Sequence, residues 1–450
     1  MENKFEDIED IYEANLPVEA GGTIEVSPVV QAESGNKEKL WTPNFFLLWQ
    51  GQLVSVLGDV VYNLALGFWI LAATGSTALM GTLMAASTLP AVLVSPFAGV
   101  IVDRADRKWL LITTDIIRGL AVVFLAAAAY MGFIQIWMVF ITGIILGLGG
   151  AFFSPTVNSA VPDLVPPSKI MAANSVIGMV GTGSNIVGSS AGGLLLQILG
   201  APFMFLFNGL SFIVSAVINL FIKIPKIQHK TEQHFFADMK AGYLFVWKMR
   251  GLRYMIMVAA LSNFLSFIGI VLFLPLFQMT KSLGPAKYGI TMAFYTGGMF
   301  LAMGLISAIK IPPHIKPYIF LPSEFLSLAC FAAFGLVEYF PLMVLLLFAG
   351  GFFTAIVNVF IYTTIQLAVP QDMRGKVFSL VGTVCSSLMP FAMALGGVLG
   401  EFFPLRSIIF ACFAVQLVLF LPLILVKSFT RFVAYDPEKQ TPEDLMEYKG

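Results

Sequence analysis

The chain has 450 residues, no formal net charge, 58% hydrophobic residues and only 12% charged ones, with a mean hydropathy of +0.86. A soluble domain carries about 25% charged residues, so this composition excludes a water-soluble globule and points to a polytopic membrane protein. The charge balance also excludes nucleic acid as a partner, because phosphate binding needs a concentrated basic surface.

The first 40 residues hold ten carboxylates and three lysines. Residues 1–42 therefore read as a disordered acidic tail, without the basic-then-apolar start of a secretory signal. Beyond them, apolar runs long enough to cross the hydrocarbon core as helices of about 20 residues recur along the chain. Spans are expected near 45–73, 78–102, 109–131, 136–160, 170–198, 202–223, 254–280, 288–310, 317–337, 341–368, 376–400 and 404–427. These form two six-helix halves, 43–223 and 254–427, joined by a polar segment at 224–253 and followed by a tail at 428–450. With both tails cytoplasmic, about 22 of the 26 basic residues fall on the inside, in keeping with the positive-inside rule. The location expected is the cell membrane.

The halves resemble each other. "GGAFFSPTVNS" from Gly149 is echoed by "GGFFTAIVNVF" from Gly350, and "VPPSKIMAANSVIG" from Val165 by "VPQDMRGKVFSLVG" from Val369. Both pairs have a similar offset, the pattern of a transporter built from repeated six-helix units with substrate held between them. The expected fold is an all-α polytopic membrane protein whose twelve transmembrane helices form two pseudo-repeats.

The stretch after the second span reads "GVIVDRADRK", Gly99 to Lys108. It resembles the signature of the major facilitator superfamily at Gly99, Asp103, Arg104, Arg107 and Lys108, while Asp106 stands where that family usually has Gly. The resemblance implies a cytoplasmic latch that fastens the two halves in the outward-open state. Read as a six-residue loop, the stretch places Asp103 near the start of the third span, where a helix dipole favours an anion. "QGQLVSVLGDVVYNLALGFWILAATGS" and "LLITTDIIRGL" resemble the drug:proton antiporter branch, which includes macrolide and siderophore exporters. "GSSAGG", with Gly188, Gly192 and Gly193, resembles an exporter glycine motif in which Ser189 replaces a Pro. Small residues there also let helices approach closely.

On the first span, Gln52, Ser55, Asp59, Tyr62 and Asn63 recur at helical spacing. A charge at mid-membrane depth costs roughly 2.5–3.5 kcal/mol, and lipid satisfies no polar stripe, so this face is expected to line a cavity. The superfamily resemblance implies a central cavity lined by the first, fourth, seventh and tenth spans. Thr156 and Asn158, Asn263 and Ser266, and Thr354, Asn358, Tyr362 and Gln366 are the matching candidates, with phenylalanines as apolar walls. Asp59 is the candidate for proton coupling, since a carboxyl in a partly dry cavity can cycle between protonated and ionised forms. Asp115 and Arg118, three residues apart on one helix face, are expected to form a buried ion pair. Glu324 is a lone carboxylate in the ninth span, either part of a second latch or a second proton site.

No nucleotide-binding glycine loop is present, and His229, His234 and His314 lie in loops with nothing beside them to coordinate a metal. Cys330, Cys385 and Cys412 sit in apolar runs without ligand spacing. The function expected is a secondary transporter rather than an enzyme. It is expected to work as a monomer without cofactor or metal, exporting amphipathic organic compounds in exchange for protons. Siderophore export, lysophospholipid transport and a transporter-derived receptor or sensor are the alternatives.

Overall fold

The first span is a helix over Pro43–Thr74. The Thr42 hydroxyl caps it by accepting the Phe45 amide at 3.2 Å and donates to the Leu164 carbonyl at 2.7 Å. Pro43 occupies the first turn, where its missing amide costs nothing. Gly75 ends the helix in the left-handed region, φ 67°, as favoured at helix C-termini. The second, third and fourth spans follow as Thr77–Arg104, Arg107–Tyr130 and Ile136–Leu164. This is a computed structural model, and it describes residues 39–224, 235–309, 311–437, 439–441 and 444–445. The side chains at 96, 99, 100, 103, 104, 235–239, 241, 371, 372 and 423–425 lie outside the described set.

Among the described residues, eleven continuous helical stretches are long and apolar enough to cross a membrane. One contains two spans: Ile170–Phe221 breaks at Gly200, whose φ of 76° and ψ of 168° leave the helical region. Pro202, two residues on, has no amide to continue the ladder. Twelve spans result. The seventh comprises Arg250–Val271 and Phe273–Met279. The eighth is Pro285–Ala308, the ninth Lys316–Leu336 and the tenth Phe340–Ala368. The eleventh comprises Gln371–Ser387 and Met389–Phe402, and the twelfth is Leu405–Leu425. The seventh and eleventh spans are interrupted just before Pro275 and Pro390, each of which removes an intrahelical donor.

The packing repeats between halves. The second span lies on the fourth as the eighth lies on the tenth, and the third on the sixth as the ninth on the twelfth. The halves meet where the second span touches the eleventh and the fifth touches the eighth.

Residues 1–38 and 225–234, including His229 and His234, lie outside the described residues. The rest of the polar central segment is largely helix, Phe235–Lys248, and the seventh span begins at Arg250. The residues after the twelfth span are not simply a tail: Lys427–Val433 is a helix that buries Phe429 and Phe432. Its docking follows from Gly251, where a Cβ would sit 2.6 Å from both the Phe432 Cβ and the Ser428 carbonyl oxygen.

Candidate functional site

The first and sixth spans approach closely because glycines on one meet polar side chains on the other. A Cβ on Gly58 would lie 2.3 Å from Ser211 Oγ and 2.6 Å from Asn208 Oδ1. That approach brings Asn208 Nδ2 to Asp59 Oδ1, where it donates at 3.4 Å. On the third span, Arg118 pairs with Asp115, and Asp115 also accepts from Asn219 Nδ2 at 3.2 Å. Two rings flank the guanidinium, with centroids at 4.4 Å (Phe153) and 4.3 Å (Phe212), an arrangement that stabilises a desolvated cation. Arg118 also acts electrostatically on Asp59. The first half therefore holds two carboxylates, Asp115 buried and Asp59 half-buried, around one guanidinium. One proton, shared among the carboxylates, makes that cluster neutral.

The expected polar face of the first span divides. Gln52, Ser55 and Tyr62 are buried inside the first half, with the Tyr62 ring 5.4 Å from Phe205 and Ser55 donating to the Gln52 carbonyl at 3.4 Å. Asn63 instead faces a cavity between the halves, because one residue turns about 100° around a 3.6-residue helix.

This inter-half cavity measures about 670 Å³. Asn63, Thr182, Asn185, Ser189 and Thr296 give it polar points, and Met80, Met84, Met292, Met299 and Met393 give it thioether walls. The five methionines follow no motif. They come singly or in pairs from the second, eighth and eleventh spans, so only the assembled bundle brings them together. Methionine is flexible and polarisable and suits surfaces that accept varied apolar ligands.

The cavity's two ends differ. At the end away from the termini, here the far end, the halves touch backbone to backbone. A Cβ on Gly397 would lie 2.5 Å from the Thr77 carbonyl oxygen, and one on Gly193 2.3 Å from that of Pro285. Glu401, closing the eleventh span, accepts from Ser76 Oγ at 3.0 Å, Thr77 Oγ1 at 3.3 Å and the Ala78 amide at 3.3 Å. It thus caps the second span from the opposite half, where a helix dipole favours an anion. Toward the termini the cavity is wider: Gly178 and Gly181 of the fifth span line it, and a Cβ on either would meet nothing within 4 Å. The cavity is closed at the far end and open toward the terminal end.

The other candidates fall as follows. Gly188 packs on Val60 and Gly192 on Leu64 of the first span, while Gly193 faces the eighth span across the half boundary. Thr156 is buried in the first half, its hydroxyl on the Phe152 carbonyl at 2.7 Å. Asn158 and Gln366 are exposed and line neither cavity. Asn263, Ser266, Thr354 and Asn358 line a separate cavity within the second half. Tyr362 is exposed and stacks on Phe378 at 6.1 Å.

The signature stretch is mostly helix, since the second span runs through Arg104 and only Ala105 and Asp106 connect it to the third. Asp106, not Asp103, caps the third span, accepting from the Lys108 and Trp109 amides at 3.1 and 3.3 Å. Arg107 pairs with Asp163 and Lys108 donates to the Leu220 carbonyl at 2.7 Å, so both grip their own half. That is the arrangement a bundle open at this end requires. The side chains of Gly99, Asp103 and Arg104 lie outside the described residues. Among the described residues no three His, Cys, Asp or Glu side chains gather as a metal site.

Residues 48–393 match the family model of the Major Facilitator Superfamily. Macrolide efflux protein A of Streptococcus pyogenes is 25% identical over 377 residues, covering 80% of this chain and 90% of that protein. Macrolide efflux protein A of Enterococcus faecalis is 26% identical over 321 residues, covering 68% and 96%. Among solved structures, a bacterial homologue of the iron transporter ferroportin in its inward-facing state has a TM-score of 0.65 at 16% identity, covering 87% of this chain and 99% of that one. A bacterial homologue of the lysosomal transporter Spinster, also inward-facing, has a TM-score of 0.61 at 15% identity, covering 88% and 97%. At such identities the likeness shows the fold.

Proposed function

The chain belongs to the major facilitator superfamily, and from that premise we propose that it exports amphipathic organic compounds of macrolide type from the cytoplasm in exchange for protons. The observation that carries this reading is the methionine-walled cavity between the halves, sealed at one end and open at the other. Its apolar, adaptable walls and few hydrogen-bonding groups suit a bulky amphipathic cargo. The similarity to two macrolide efflux proteins favours export over import. With the termini cytoplasmic, as the basic residues favour, the open end faces the cytoplasm and loads cargo.

Asp59 is the proton carrier in this scheme. With Asp59 ionised, the first-half cluster holds one negative charge that Arg118 shares between two carboxylates; with Asp59 protonated, Arg118 belongs to Asp115 alone. Because Asp59 sits on the span that also presents Asn63 to the cargo, the two protonation states give the first span different partners. That difference is what a proton needs in order to bias one conformation. Glu401 and the glycine contacts hold the far end shut until that bias reverses.

Cells expressing the chain should accumulate less of a radiolabelled macrolide than cells carrying an empty vector, and a protonophore should erase the difference. Equal accumulation before the protonophore is added would overturn export of this cargo class. A difference that survives the protonophore would overturn proton coupling.

A further inference from the structure

The seventh, ninth, tenth and twelfth spans enclose a second cavity, of about 240 Å³. Glu324 of the ninth span lines it, and no Lys, Arg or His does. Unlike Asp59 and Asp115, Glu324 has neither an ion-pair nor a hydrogen-bond partner among the described residues, and it lies near no cation. Three of the hydroxyls that line it are engaged. Ser266 donates to Gln416 at 3.1 Å, while Ser327 and Thr354 bond each other at 2.7 Å and share the Gly350 carbonyl. The Ser262 hydroxyl is buried without a partner.

Much of the remaining wall is aromatic: Tyr295, Phe320, Phe331, Phe413, Phe420 and Phe429. Phe331 and Phe413 stack at 4.9 Å. Phe429, from the helix after the twelfth span, lies 5.7 Å from Phe320. A carboxylate at membrane depth without a partner lacks the counter-charge that such groups ordinarily have. Ser262, Asn263 and Asn358 add further polar atoms to the wall, so a hard inorganic cation, which asks for six or more oxygen ligands, is the competing occupant that sodium stands for in the test below. A substituted ammonium carries its charge beneath a methyl or methylene surface, and aromatic faces attract such cations.

We propose that this pocket binds an organic ammonium group, a protonated tertiary amine or a quaternary ammonium, with Glu324 as its counter-charge and the aromatic rings as its cage. Ile270 and Tyr295 line both this pocket and the inter-half cavity, so the two adjoin. The ammonium group then belongs to a cargo whose body occupies the methionine-walled cavity. To that extent the proposal rests on the transport reading, but its test is binding alone and needs no gradient.

The test is titration of the purified full chain in detergent with choline and with its uncharged isostere, 3,3-dimethylbutan-1-ol, followed by tryptophan fluorescence or calorimetry. Choline should bind at least tenfold more tightly than the isostere. Glu324→Gln should remove that preference while leaving the isostere unchanged, Glu324→Asp should restore part of it, and Phe413→Leu should weaken choline several-fold. Equal binding of the two ligands by the parent chain would overturn the proposal whether or not any variant folds. So would a Glu324→Gln variant that still prefers choline, or sodium competing with choline at millimolar concentration. Failure of export with intact choline preference would sink the transport reading alone.

Discussion

At the scale of single residues, Arg118 carries the heaviest responsibility in the first half. It is buried, pairs with Asp115, lies between Phe153 and Phe212, and acts on Asp59. Removing one member of a buried pair leaves an uncompensated charge and costs about 3–5 kcal/mol. Arg118→Ala should therefore lower thermal stability in detergent steeply, and Arg118→Met combined with Asp115→Asn should recover much of the loss. A single variant as stable as the parent would show that the pair is not what holds these helices. The Asp115–Arg118 pair was legible in the sequence because both residues lie on one turn of one helix. The involvement of Asp59 was not, because its neighbours come from the third and sixth spans, and no local spacing encodes that meeting.

Among elements, the telling contact joins the end of the eleventh span to the start of the second, 325 residues away in sequence. Glu401 holds three donors there, all from the first turn of a helix in the other half, so its contacts exist only while the far end is closed. Glu401→Gln keeps the shape and removes the charge. In a background lacking Cys330, Cys385 and Cys412, it should raise several-fold the rate at which a cysteine placed at Asn63 is alkylated from the far side. An unchanged rate would mean that the glycine contacts alone hold the gate. The twelve spans were readable from apolar length, and even the Gly200 break was anticipated as a boundary between two runs. The division of the first span's polar face was not, because Tyr62 and Asn63 are adjacent in sequence yet turn toward different neighbours. Likewise, each methionine of the cavity looks like ordinary core filling until the bundle is assembled.

For the whole molecule, the repeated packing gives two halves of like architecture but unlike chemistry. The first half sets its carboxylates around their own guanidinium, and the second leaves Glu324 facing a pocket that no Lys, Arg or His lines. Between them lies a cavity closed at the far end and open toward the termini, the arrangement of one state in an alternating-access cycle. The coupling of that cycle to protons is tested most directly by transport in proteoliposomes with an acidic lumen, comparing the parent chain with Asp59→Asn. The substituted side chain retains an oxygen for Asn208, so stability should stay within about 1 kcal/mol of the parent. The parent should concentrate a radiolabelled macrolide in the lumen beyond the level reached by protein-free liposomes, and Asp59→Asn should only equilibrate it. An Asp59→Asn variant that concentrates the macrolide as the parent does would contradict Asp59 as the coupling residue.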